Sequence, residues 1–253
     1  MADNSNPKGY SVLIVLVSLA LAFFPLFQHL SVPTLYMFDE AREAANAANM
    51  IKTGDPIVTY FNGEPDMWNT KPPLAVWMQV LSMQIFGYNV LAIRLPSAIA
   101  GLLVIVSFLV FSKRYLKQFR TGLWAGLVLL TSAGFVGNHI TRTGDTDALL
   151  TLFVTSGSLL YFLYLHQDKK NTVHLPLAVL CFVLAVYTKS IAGLLPLPAL
   201  FIYTLVKKRL QWVFTSKAFY SSAIPAMLLI LGYYLLREQL NPGYISAALE
   251  NDI

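Results

Sequence analysis

The sequence predicts an all-α fold: a polytopic transmembrane helix bundle of about seven spans, with amphipathic helices in a long first outer loop. Three observations predict it. Of 253 residues, 56% are hydrophobic and only 12% charged, whereas soluble domains carry about 25% charged residues. The apolar residues fall in long blocks, and a spanning helix needs roughly 20 mostly apolar residues. The Lys and Arg residues behind the net charge of +5 stand beside those blocks, where membrane topology signals lie. The same features exclude other classes. Disorder needs low hydrophobicity and high charge. The single cysteine, Cys181, leaves no intramolecular disulfide and no four-cysteine zinc site. Basic residues at block edges form no nucleic-acid footprint, and the long blocks do not suit a soluble enzyme.

The elements follow in order. Residues 11–30 form the first span; the stretch is long for a signal peptide and lacks a small-x-small cleavage site, so it reads as an uncleaved anchor. Residues 31–93 form the long first outer loop. Within it, residues 39–53 (DEAREAANAANMIKT) start with acids and stop at Gly54, the start and stop signals of a helix. Residues 72–86 (PPLAVWMQVLSMQIF) form a second helix, opened by prolines and closed by Gly87. It is too short to span, and Leu74, Trp77, Met78, Leu81 and Ile85 give it one apolar stripe, suited to the interface or to packing on the bundle. The remaining spans cover about 95–111, 122–138, 148–165, 175–187, 193–206 and 219–236. Together they make a single transmembrane domain over residues 1–253.

With the N-terminus in the cytoplasm, eleven of the 18 basic residues fall inside, in clusters at 113–120, 169–170 and 207–217 together with Lys8, against two acids, Asp3 and Asp168. This orientation satisfies the positive-inside rule. The polar clusters that topology does not use then lie on the outer face.

Four such clusters stand out. Asp39, Arg42, Glu43 and Asn46 share a helix face by their 3–4 spacing. Asp39 either complements the helix dipole or acts as a general base at the membrane surface. Lys71, held by Pro72 and Pro73, either binds a phosphate or snorkels to the interface. Arg142-Thr143-Gly144-Asp145-Thr146-Asp147 contains more acids than one helix cap requires. Lys189, between two short apolar segments, is either a functional charge or a residue of an outer turn. Arg94 is weaker and either contacts substrate or anchors the second span. Two carboxylate centres and two lysines on one face suit an anionic, lipid-linked substrate. Mid-span positions are nearly free of charge, which disfavours a transporter.

The pieces FDEAREAANAANMIKTGD, NGEP…KPPL, FGYNVLAIRLPSA, RTGDTDALLTLF and YTKS, in this order, resemble the polytopic GT-C glycosyltransferases. They are most similar to the bacterial branch of aminoarabinose transferases and relatives of protein O-mannosyltransferases. The resemblance implies an enzyme that moves a sugar from a polyprenyl-phosphate donor to a lipid or protein acceptor outside the cytoplasmic membrane. It implies catalytic roles for Asp39, Glu40 and Asp147, and substrate-binding roles for Lys71, Arg142, Lys189, Arg42 and Arg94. The branch commonly has a glutamate before the phosphate lysine that helps hold a metal; Thr70 stands there instead. His139, Asp145 and Asp147 could supply ligands to a divalent metal. Ser190 stands where a glycine often follows the basic residue. Members of the family are longer, so the chain is expected to be an N-terminal portion. The alternative reading is a non-catalytic module that binds polyprenyl phosphate or a partner. Membrane lipids are partners on either reading.

Overall fold

In lipid every backbone polar group needs an internal partner, so apolar blocks fold as helices. The computed structural model describes residues 20–137, 139–169 and 172–252. Residues 20–27 form α1; the rest of the expected first span lies outside the described residues. The first loop holds α2 (Asp39–Thr53), a hairpin of β1 (Tyr60–Phe61) and β2 (Glu64–Pro65), and α3 (Leu74–Phe86). The hairpin is antiparallel, with Tyr60 opposite Pro65, and turns at Asn62 and Gly63, both at positive φ, as a tight two-residue hairpin requires. There follow α4 (Val90–Arg114), α5 (Phe119–Thr131), α6 (Ala133–Val136), α7 (Asp147–Leu165), α8 (His174–Lys189) and a 3-10 turn, η1 (Ser190–Leu194). The last elements are α9 (Leu197–Val206), α10 (Leu210–Phe214), α11 (Lys217–Leu240) and α12 (Tyr244–Asp252).

The all-α membrane bundle is borne out. Among the described residues, four helices are long and apolar enough to cross a membrane: Val90–Arg114, Asp147–Leu165, His174–Leu194 and Lys217–Leu240. Two of the other expected spans are shorter helices. The block at 122–138 breaks at Ser132, whose extended backbone ends α5. The block at 193–206 yields the 10 residues of α9, which starts only after Pro196. Ten residues reach about 15 Å, against roughly 30 Å of hydrocarbon.

Small residues let the helices approach, as lipid-embedded packing requires. A Cβ at Gly122 of α5 would stand 2.9 Å from the Cα of Leu109 in α4. Gly157 of α7 faces the Phe182 ring of α8 in the same way. One core cluster joins α2, α3 and α4 through Ala44, Ala47, Met50, Val76, Met83, Ala92 and Ile93.

The expected stripe on α3 coincides only in part with its buried face. The helix buries Leu74, Ala75, Val76, Gln79, Ser82 and Met83, while Leu81 and Ile85 are 52% and 72% exposed. Apolar side chains need no protein cover against lipid, whereas polar ones do. Gln79 therefore turns inward and donates Nε2–H to the carbonyl of Gly144 at 2.7 Å.

A buried ion pair ties the first loop to the bundle. Arg94, in the first turns of α4, donates to both carboxylate oxygens of Glu40, at 2.6 and 2.8 Å. Its remaining donors meet the carbonyls of Leu30, Pro33 and Thr34. Glu40 also accepts the N–H groups of Tyr36 and Gly144. Both side chains are 1% exposed. Burial alone would raise the Glu40 carboxyl, but Arg94 and these two N–H groups outweigh it and hold it below its ordinary value.

Removing one partner of a buried pair leaves an uncompensated charge. Arg94→Leu is expected to cost about 3–5 kcal/mol, read as a lower thermal denaturation midpoint in detergent. The Glu40→Leu/Arg94→Leu double variant is expected to lose less than the sum of the single losses. Strict additivity would contradict this account.

Candidate active site

Asp39 opens α2 directly before Glu40, so the ion pair also sets its position. The preceding residue, Phe38, has φ 74° and ψ −110°, a conformation that costs a non-glycine residue roughly 1–3 kcal/mol. Its ring is 82% exposed, so packing does not hold it there. The Tyr36 N–H on Glu40 and the Arg42 N–H on the Phe38 carbonyl do. The result is an exposed Asp39 beside the 139–146 loop. Ligand atoms of Asp39, His139 and Asp145 lie within 4.8 Å of one another.

That loop is fastened from several sides. Ser97 Oγ donates to the Asp145 carbonyl, and Thr141 Oγ1 donates to the Phe135 carbonyl. At Gly144 a side chain would collide with Ile93, so glycine is required by close approach. Asp145 Oδ2 accepts from Thr143 at 2.6 Å and lies 3.2 Å from His139 Nδ1, while Oδ1 is buried without a partner. Burial raises the Asp145 carboxyl above its ordinary value, against the pull of Thr143 and His139.

The two lysines share a cleft. Lys71, Lys189, Trp68, Ser190 and Asn251 help line a cavity of about 320 Å³. Lys189, at the end of α8, makes a bidentate contact with Asp147 at the start of α7, at 2.7 and 2.9 Å. Lys71 forms no ion pair among the described residues. Its ammonium lies 3.3 Å from Asn69 Oδ1 and 5.8 Å from the centre of the Trp68 ring.

Beneath Lys71 runs a buried polar network. Asn69 donates Nδ2 hydrogens to Glu43 Oε1 and Asn46 Oδ1, which leaves its Oδ1 for Lys71. Asn46 donates to Asp66, and Asp66 takes the two-pronged contact of Arg42 at 2.9 and 2.7 Å. Arg42 also stacks over Phe61 and Trp68. Burial would raise Asp66, but Arg42, the Asn69 N–H and Asn46 bring it below its ordinary value. Glu43 is buried. Burial pushes its carboxyl up to about 7; Lys71 and Asn69 oppose the rise, and Asp145 and Asp66 add to it. Glu43 thus stands within electrostatic reach of both the lysine cleft and the carboxylate cluster.

The structure redistributes the expected roles. Asp39 and Lys71 remain available to substrate, and Lys189 reaches the cleft of Lys71 while paired with Asp147. Glu40 and Arg94 are not available, because their mutual contacts and the surrounding backbone groups together use up the hydrogen-bonding capacity of both. Arg142 is turned toward α1, where it donates to the carbonyls of Pro25 and Gln28 and satisfies a helix C-terminus. Arg42 is held by Asp66 and two rings. Asp147 does not join His139 and Asp145 as a metal ligand would, since Lys189 holds it; Asp39 takes that place. Sequence reasoning passed over Asp66, Asn69 and Arg237. Asp66 and Asn69 lie in an irregular segment with no periodicity to mark them. Arg237 is buried under the Tyr244 ring, 4.7 Å from its centre, with both terminal nitrogens unpaired. The Tyr244 hydroxyl in turn donates to the Thr70 carbonyl.

Residues 70–234 match the dolichyl-phosphate-mannose-protein mannosyltransferase family, well over half of the chain. The chain belongs to this family. Within it, the aminoarabinose-transferase-like character read from the motifs is borne out by relatives. The chain is 29% identical over 229 residues to an uncharacterised protein of Aquifex aeolicus (strain VF5), which covers 90% of this chain and 44% of that protein. It is 30% identical over 131 residues to the undecaprenyl phosphate-alpha-4-amino-4-deoxy-L-arabinose arabinosyl transferase of Pseudomonas savastanoi pv. phaseolicola, covering 51% of this chain and 24% of that one. The fold is shared with the crystal structure of ArnT from Cupriavidus metallidurans bound to undecaprenyl phosphate, at a TM-score of 0.77 and 24% identity, over 94% of this chain and 43% of that one. The chain spans less than half the length of these relatives.

The Glu43 shift has a consequence for stability. Its carboxyl sits at about 7 in the folded protein against a reference of 4.5. Between those values the folded state keeps a proton that the unfolded chain has lost, so stability falls as the pH rises through that window. Glu43→Gln cannot ionise and is expected to remove the slope. Denaturation midpoints should match wild type near about pH 5 and exceed it near about pH 8; parallel wild-type and variant curves would contradict the shift.

Proposed function

We propose that this chain forms the donor-binding and catalytic part of a membrane glycosyltransferase. The enzyme would transfer a sugar from a polyprenyl-phosphate donor to a lipid or protein acceptor. The observation that carries the reading is the cleft in which Lys71 and Lys189 converge from different elements, with Lys71 lacking a carboxylate partner among the described residues. An ammonium with no carboxylate in direct contact at the edge of a membrane bundle suits a phosphate. The names of the relatives support it: an arabinosyl transferase acting with undecaprenyl phosphate, and ArnT bound to undecaprenyl phosphate. An apolar groove of about 430 Å³ lies among α7, α8, α9 and α11 and reaches Leu194. Ile191, on the same 3-10 turn, lines the lysine cleft, so the isoprenoid chain and its phosphate would lie on either side of η1. The basic clusters support an orientation with the N-terminus and the 113–120 turn on the cytoplasmic side of an inner membrane and the site on the opposite face.

In the reaction, the acceptor oxygen forms a bond to the anomeric carbon. The bond from that carbon to the phosphate oxygen breaks, and its electron pair leaves with polyprenyl phosphate. Lys71 and Lys189 stabilise the charge that develops on the leaving group. Asp39, exposed at the mouth, takes the proton of a hydroxyl acceptor. A phosphate acceptor would need only positioning.

In the full-length enzyme, Lys71→Ala is expected to weaken binding of polyprenyl phosphate about tenfold or more. Asp39→Asn is expected to spare binding and to slow transfer by roughly a hundredfold or more. Wild-type turnover by Asp39→Asn would defeat the catalytic assignment.

Asp39, His139 and Asp145 fit a divalent cation. The set offers two carboxylates and an imidazole, a donor mix that suits manganese or zinc, and Asp145 Oδ1 is buried with no protein partner. When bound, such a cation would supply positive charge at the acceptor side of the site. Metal analysis of the purified full-length enzyme after equilibration with Mn²⁺ or Zn²⁺ should find bound metal that Asp145→Asn and His139→Ala each remove. Metal retained by both variants would exclude this site.

A further inference from the structure

Ser190 directly follows Lys189 and has φ 46° and ψ −133°. Non-glycine residues rarely enter this region, because Cβ crowds the backbone there. The side chain is 4% exposed, and its Oγ has no hydrogen-bond partner. The backbone N–H is already used, donating to the Val186 carbonyl at the end of α8. Strained backbone and a buried, unpaired hydroxyl both lower stability. A glycine at this position would remove both costs, so the fold gains nothing from the serine side chain. The residue nevertheless stands in the wall of the lysine cleft, together with Lys71 and Lys189.

We propose that Ser190 is a further donor-binding residue, whose hydroxyl donates a hydrogen bond to a phosphate oxygen held between Lys71 and Lys189. The assignment rests on the reading of the cleft as the donor-phosphate site. Oγ makes no hydrogen bond in the fold, so none is broken when it turns to a ligand in the cleft that Ser190 lines. The hydroxyl complements the lysines chemically. An ammonium supplies charge on a flexible stem, whereas a short hydroxyl on a constrained turn supplies direction. A neutral donor on an anionic oxygen is worth about a tenfold change in affinity or more.

The test uses the full-length enzyme in nanodiscs. Ser190→Gly, Ser190→Ala and Lys71→Ala are compared for thermal midpoint and for affinity toward polyprenyl phosphate, with uncharged polyprenol as control. Ser190→Gly is expected to raise the midpoint and to weaken polyprenyl phosphate binding about tenfold. Ser190→Ala keeps Cβ and its backbone strain but removes the unpaired hydroxyl, so it should show the same loss of affinity with only part of the gain in stability. Polyprenol binding should not change in either variant. If both serine variants bind polyprenyl phosphate like wild type while Lys71→Ala binds weakly, the Ser190 assignment is overturned and the cleft reading survives. If Lys71→Ala and Ser190→Ala both bind normally, the two fall together. Loss of polyprenol binding in parallel with polyprenyl phosphate would reduce Ser190 to a structural role and likewise overturn the proposal.

Discussion

The candidate site depends on the pairing of Glu40 with Arg94. A guanidinium has five N–H donors and a carboxylate has about four acceptor positions. Here all of them are engaged, deep inside the protein. The pair thereby joins α2, the start of α4, the chain at 30–34 and the turn at Gly144. Asp39 precedes Glu40, and Arg94 stands one turn before Ser97, which holds the main chain of Asp145. Two buried residues therefore decide where the carboxylates of Asp39 and Asp145 meet. Buried ion pairs often add little net stability over an apolar replacement. What this one supplies is a unique arrangement of four distant segments, since no other partners would satisfy so many buried donors and acceptors.

Charge is divided across the site. Carboxylates and an imidazole gather between α2 and the 139–146 loop, and ammoniums gather between the 66–71 segment and the end of α8. The division would suit the proposed displacement at an anomeric carbon, with a proton acceptor on one side and cations by the leaving phosphate on the other. The buried network of Glu43, Asn46, Asp66 and Asn69 lies between the two halves and transmits position without exposing charge. Lys189 arrives with a counter-ion in Asp147, whereas Lys71 contacts an amide oxygen and an aromatic ring and feels the buried Glu43 only through space. An incoming phosphate therefore has more to gain from Lys71 than from Lys189.

The surroundings are a membrane solvent, which changes what burial means. On α3 the residues of the apolar stripe divide between the core and the surface, and Gln79 and Ser82 take inward positions. Along α11, the buried side chains are Tyr233 and Arg237, the second of them charged. In both helices polar side chains take protein-facing positions, as expected where lipid accepts apolar groups freely.

Composition and block length alone determined the all-α membrane class, because few other structures satisfy the backbone in lipid. The start and stop signals of α2 were legible to the residue, since acids and a glycine act within one helical turn. Asp39, Lys71 and Lys189 were legible as candidates because charged residues beside apolar blocks have few structural uses. The division of labour among the charges was not legible. Glu40 and Arg94 are 54 residues apart, and Asp147 and Lys189 are 42 apart. No local spacing records which acid meets which base over such distances. The break at Ser132, the inward turn of Gln79, the transfer of Asp39 to the cluster with His139, and the strained backbone at Ser190 were likewise decided by tertiary packing. Each depends on what the surrounding helices leave unsatisfied, a quantity that exists only once the chain has folded.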